Sequence, residues 1–95
     1  MLKSSKSNLT KLEQIFREQD YTIRYEKGNF QSGYCIVETN KIVVINKFFD
    51  TEGRMNCLLD ILSTIIVMEE RLTEKSLTFF KHILKSQEYQ DNAAA

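Results

Sequence analysis

The reactive side chains of this sequence are few and far apart. Its one histidine, His82, lies in a stretch with Phe79, Phe80 and Ile83. A zinc site needs three or four His, Cys or carboxylate ligands converging on one point, and His82 stands without such company. Cys35 and Cys57 each sit among apolar residues, remote in sequence from His82, so no base is placed to activate either thiol. Both read as buried reduced thiols. Gly28, Gly33 and Gly53 are spaced wrongly for a phosphate loop of the Walker or dinucleotide-binding type. No metal and no cofactor are expected, and the chain reads as a protein that is not an enzyme.

Binding chemistry has a better claim. Arg24, Lys27, Asn29, Asn46, Lys47 and Arg54 are concentrated where the backbone turns. They define a candidate small-ligand or anion site between the Gly28–Gly33 loop and the start of a helix near residue 51, whose free N–H groups attract anions. Glu52 competes, because it already places negative charge at that helix end. Arg24, Tyr25, Lys27, Phe30 and Tyr34 interleave basic and aromatic residues in the manner of single-strand binders. Thirteen basic residues balance thirteen acidic ones, however, which removes the main electrostatic contribution to such binding. Nucleic acid is therefore not an expected partner.

A second candidate surface is apolar. Phe48 and Phe49 fall in an expected loop, and Phe79, Phe80, Ile83 and Leu84 crowd the last helix. A domain of 95 residues buries roughly 60–65% of its unfolded surface, a core too small to cover every aromatic. An uncovered apolar patch marks an interface. The leading expectation is a non-enzymatic interaction module that forms a homo-oligomer, most simply a dimer, or binds an unidentified protein.

These residues must be positioned by a single domain spanning 1–95, with loose ends at 1–7 and 90–95. Ser7 or Asn8 caps a first helix with Leu9, Leu12, Ile15 and Phe16 as its apolar stripe. Tyr21–Tyr25 reads as a strand, and Gly33–Glu38 and Lys41–Asn46 as a hairpin turned by Thr39-Asn40. Four consecutive apolar residues, Ile42–Ile45, suggest a strand covered on both faces, or covered on one and joined to a partner on the other. Met55, Leu58, Leu59, Leu62, Ile65 and Ile66 predict a helix over 51–67, and Thr73-Glu74 a fresh helix start, although one kinked helix over 51–88 fits as well. The expected fold class is α+β: a helix, a three-stranded antiparallel meander, then two helices, packed as two layers. The longest apolar stretch, Ile61–Met68, is interrupted by Ser63 and Thr64 and is far short of a membrane span. Met1–Lys6 lacks the apolar run of a secretion signal, so a cytoplasmic location without membrane attachment is expected.

The middle of the chain carries a resemblance. Arg24-Tyr25-Glu26-Lys27-Gly28-Asn29-Phe30, Ser32-Gly33-Tyr34-Cys35, Val44-Ile45-Asn46-Lys47-Phe48 and Glu52-Gly53-Arg54 resemble an uncharacterised family of small single-domain bacterial proteins of the Bacteroidetes type. That implies a stand-alone cytoplasmic protein and no particular activity. A fainter similarity is to the HExxH metallopeptidases that cleave repressors, in which an apolar strand ending in Asn leads through an acidic-basic turn into the zinc-binding helix. Ile42–Asn46 and Glu52–Arg54 follow that outline, but Leu59, Asp60 and Ser63 stand where His, Glu and His would be. The similarity therefore implies a shared strand–helix arrangement without peptidase chemistry.

Overall fold

The computed structural model describes the backbone of residues 2–27 and 34–94, and their side chains except at 34–36, 38 and 87–94. The first helix, α1, spans Lys6–Glu18. It starts earlier than the sequence suggests because Ser5, not Ser7 or Asn8, is the cap, its hydroxyl accepting from the Asn8 N–H at 3.1 Å. Leu9, Leu12, Ile15 and Phe16 are all buried along the expected stripe.

The end of α1 is built with equal care. Asp20 takes a left-handed backbone with φ 67°, the Tyr21 N–H reaches the Phe16 carbonyl at 2.9 Å, and the Asp20 N–H reaches that of Arg17 at 3.0 Å. This is a Schellman turn, and the apolar contact that accompanies such turns is present as the edge-on Phe16–Tyr21 pair, 6.0 Å between ring centroids.

The strands are β1 (Thr22–Glu26), β2 (Tyr34–Val37) and β3 (Ile42–Asn46). Their arrangement overturns the expected meander. β3 lies between the other two, parallel to β1 and antiparallel to β2, giving the order β1-β3-β2. The β2–β3 hairpin is present, but β1 pairs with β3 in the register Thr22↔Ile42 to Glu26↔Asn46. The physical reason lies in composition. Val43, Val44 and Ile45 are all buried, as a strand flanked on both sides should be. β1 alternates Thr22, Arg24 and Glu26 with Ile23 and Tyr25, a pattern suited to an edge with one wet face. The hairpin turn also differs: a short 3-10 turn, Glu38–Asn40, ends on Lys41 with φ 51°, so Lys41 and not Asn40 takes the left-handed conformation.

Two helices follow, α2 (Thr51–Leu62) and α3 (Glu74–Ala94), so the chain is not one kinked helix over 51–88. α2 stops short of 67 because Ser63 and Thr64 turn their hydroxyls onto the helix, Ser63 donating to the Asp60 carbonyl at 2.6 Å and Thr64 to that of Ile61 at 2.7 Å. Ile65 and Ile66 consequently leave the stripe. The core joins α1 to Val43 and Ile45 of β3, to Met55, Cys57, Leu58, Ile61 and Leu62 of α2, and to Phe80 and Ile83 of α3. α1 packs against β1, α2 and α3. No helix among the described residues is long and apolar enough to cross a membrane.

Three consecutive residues at the end of α1 hold the segment between α2 and α3. The Gln19 amide, 4% exposed, accepts from the Met68 N–H at 2.7 Å and donates to the Met68 carbonyl at 3.1 Å. Asp20 pairs with Arg71 at 2.9 Å. The Glu18 carboxylate accepts from the Thr73 N–H at 2.8 Å and from the Ser76 hydroxyl at 2.9 Å, while the Thr73 hydroxyl caps α3 through the Ser76 N–H at 3.3 Å. Burial alone would raise the Glu18 pKa, but the Thr73, Gln14 and Ser76 donors together outweigh it and hold the group below its ordinary value of 4.5.

The sign of the consequence follows from that depression. The carboxylate's contribution is complete above the unfolded value and is lost as pH falls through the lower folded one. Replacing Glu18 by Gln should cost roughly 1 kcal/mol at neutral pH, at the low end for charge-assisted bonds because the group is partly wet. Denaturation midpoints of wild type and variant should converge as pH falls below the ordinary carboxylate value. A gap that stays constant down to acid pH would show that the charge of Glu18 contributes nothing.

Candidate functional site

The corner between β3 and α2 gathers part of the polar set read from the sequence. Asn46 closes an Asx turn, its Oδ1 accepting from the Phe48 N–H at 3.0 Å. Asp50 then caps α2, with Oδ1 accepting from the Gly53 N–H at 2.8 Å. Arg54 is the centre of the corner. Its Nε donates to the Phe49 carbonyl at 2.9 Å, a terminal nitrogen donates to the Lys47 carbonyl at 2.8 Å, and the guanidinium lies 4.3 Å from the centre of the Tyr25 ring. Such a contact is worth about 0.5–2 kcal/mol, depending on how dry it is. Tyr25 in turn donates its hydroxyl to Glu13 of α1. Burial, reinforced by the Glu13 carboxylate, holds the Tyr25 hydroxyl well above its ordinary pKa, so it stays a donor.

These groups are therefore committed to one another. Arg54, Tyr25 and Glu13 form a chain that ties the start of α2 through β1 to α1. Asn46, Lys47 and Arg54 are brought together, but the helix N–H of Gly53 is already satisfied from within. Arg24 follows the strand alternation to the sheet face opposite Tyr25, where it pairs with Glu26 at 3.3 Å. Lys27 is exposed at the end of β1. Asn29, with Gly28, Phe30 and Gly33, lies outside the described residues. Chemistry is scarce elsewhere too. Burial, and secondarily the Asp60 charge, pushes the Cys57 thiol up, away from a nucleophilic thiolate. Among the described residues no group of three or more His, Cys, Asp or Glu could hold a metal ion.

The apolar set divides differently. Phe48 is 68% exposed at the β3–α2 corner, under the Lys47 ammonium. Phe49 is half-buried against the core, and Phe79 is half-buried beneath Lys11 of α1. Phe80 and Ile83 are in the core, and Leu84 is 44% exposed. Leu84, Phe80 and Ile83 form one wall of a groove of about 330 Å³, whose other walls are Leu59 and Leu62 of α2 and Ile65, Val67 and Glu69 of the connecting segment. Ile65 and Val67 turn into this groove, while Ile66 and Met68 alternate outward, Ile66 standing 90% exposed. Ile66 and Met68 were not singled out from the sequence as surface residues. The signal available was the Ser63-Thr64 pair, which ends α2 and converts the following apolar run from helix stripe to surface strip.

Comparison with known proteins finds no protein-family model, no curated protein and no solved structure that matches this chain. The resemblances carried by Arg24–Arg54 thus rest on those residues alone.

The corner yields one quantitative expectation. A Cβ on Gly53 would sit 3.1 Å from Cδ2 of Phe49, 3.2 Å from its Cβ and 3.2 Å from the Asp50 cap oxygen. Phe49 cannot easily retreat, because its carbonyl is held by Arg54 and its ring lies on the core. Gly53→Ala should therefore lower stability by about 1 kcal/mol, the overpacking outweighing the gain in helix propensity. Urea denaturation checks this. An unchanged or raised midpoint would show that Phe49 yields freely.

Proposed function

We propose that this chain is a non-enzymatic interaction module that self-associates as a dimer through exposed apolar side chains, Ile66 and Met68 of the segment between α2 and α3 and Leu84 on α3. The observation that carries the reading is Ile66, an isoleucine 90% exposed in a segment whose backbone is fixed two residues later by Gln19. The two Gln19–Met68 hydrogen bonds hold the segment in the conformation that leaves the Ile66 side chain in water. Burying an exposed isoleucine is worth about 1.5–3 kcal/mol, and Met68 and Leu84, 41% and 44% exposed, add further apolar area. The formal net charge of zero leaves no overall repulsion between copies. The β3–α2 corner favours a ligand site less, because its cation and its helix cap are satisfied by the protein itself.

Sedimentation velocity across a concentration series tests the proposal. The wild-type mass should rise toward twice that of the chain, and Ile66→Asp and Leu84→Asp should hold it at one chain while keeping the helical circular dichroism. A wild type that stays monomeric at every concentration would remove the proposal.

A further inference from the structure

The groove between α2, the connecting segment and α3 combines an apolar interior with a single charge. Leu62, Phe80 and Ile83 line it from the core, all three buried, and Ile65, Val67 and Leu84 line it nearer the surface. Its volume of about 330 Å³ falls within the roughly 300–1,000 Å³ typical of small-ligand sites. Two of its lining residues are polar, Ser63 and Glu69. The Ser63 hydroxyl is taken by the Asp60 carbonyl at 2.6 Å. Glu69 is exposed, and the ion pairs among the described residues, Arg24–Glu26 and Arg71–Asp20, leave its carboxylate unpaired. Among the described residues no Lys, Arg or His lines the groove to offset that charge. The wall that carries Glu69 is also fixed in place, because Gln19 holds both backbone groups of the residue before it.

We propose that this groove binds a small amphipathic amine, its alkyl chain against Leu62, Phe80 and Ile83 and its ammonium against the Glu69 carboxylate. The site goes beyond self-association and does not depend on it. The two halves of such a ligand contribute differently. Each methylene taken out of water is worth about fourfold in affinity, so the chain supplies most of the binding. An exposed ion pair is worth at most about fivefold, so Glu69 selects the head group more than it adds strength. Because Glu69 is exposed, an ammonium beside it keeps part of its water and avoids the cost of burying a charge. A fatty acid of the same length would set a second carboxylate against Glu69, and an alcohol would gain no ion pair.

Amide chemical-shift titration of the full chain with hexylammonium, hexanol and hexanoate, at constant ionic strength, tests the assignment. Hexylammonium should give saturable shifts at Ile65, Val67 and Leu84 and none at Phe48, an exposed aromatic of the β3–α2 corner. Hexanol should bind more weakly, and hexanoate most weakly of the three. Glu69→Gln should weaken hexylammonium about threefold and leave hexanol unchanged. Val67→Phe, which fills the groove, should weaken all three. Ile66→Asp, which changes no residue lining the groove, should bind hexylammonium as wild type does, so the ligand site and self-association are read separately. Equal affinity for hexylammonium and hexanoate, or undiminished hexylammonium affinity in Glu69→Gln, would overturn the proposal. So would shifts that do not saturate or that appear equally at Phe48, or a folded Ile66→Asp that fails to bind. If Val67→Phe is poorly folded, the Glu69→Gln comparison decides alone.

Discussion

The pairing of the Gln19 side chain with both backbone groups of Met68 is the constraint on which the rest of this structure depends. The segment between α2 and α3 has no regular ladder to satisfy its peptide groups, and a buried unpaired N–H or C=O costs about 1–3 kcal/mol. A primary amide carries a donor and an acceptor side by side, so it can pair with both backbone groups of one residue, as a neighbouring strand would. It works here because the Schellman turn at the end of α1 fixes the direction of Glu18, Gln19 and Asp20 together. One short stretch of backbone therefore places Met68, Arg71 and Thr73, and with them the start of α3.

Two kinds of polar cluster result, and they have opposite consequences. At the β3–α2 corner, Arg54, Tyr25 and Glu13 consume one another, binding α2, β1 and α1 into a closed unit. At the end of α1, the cluster holds a segment whose own side chains remain outside. Ile65 and Val67 are drawn toward the groove, and Ile66 and Met68 are left in water. The apolar strip is thus a by-product of how the chain crosses from one helix to the next. Its exposure is maintained by hydrogen bonds made on the other side of the backbone.

The local patterns were legible where burial follows period. The α1 stripe, the β2–β3 hairpin and the Thr73 cap of α3 could all be read from spacing and cap chemistry. Strand order could not, because a meander and the observed order run the strands in the same directions and differ only in which one is central; the uninterrupted Val43-Val44-Ile45 was the sole hint. The α2 stripe was carried too far because Ile65 and Ile66 keep helical spacing after Ser63 and Thr64 have ended the helix. Arg54 is legible as a residue of the β3–α2 corner, but its hydrogen bonds to the Phe49 and Lys47 carbonyls depend on loop geometry that no local pattern shows. Gln19 was silent, since its partner is 49 residues away and no local pattern marks an amide at a helix end as a tertiary strut.

Amide hydrogen exchange at Met68 tests the central claim most directly. Its N–H lies in a segment without helix or strand, and its acceptor is a side chain of α1. The account predicts that this amide is protected to nearly the same degree as the core amides of α1, and that Gln19→Ala returns it toward the unprotected rate while Ile15 and Phe16 remain protected. Exchange at the unprotected rate in wild type, or protection unchanged by Gln19→Ala, would contradict it.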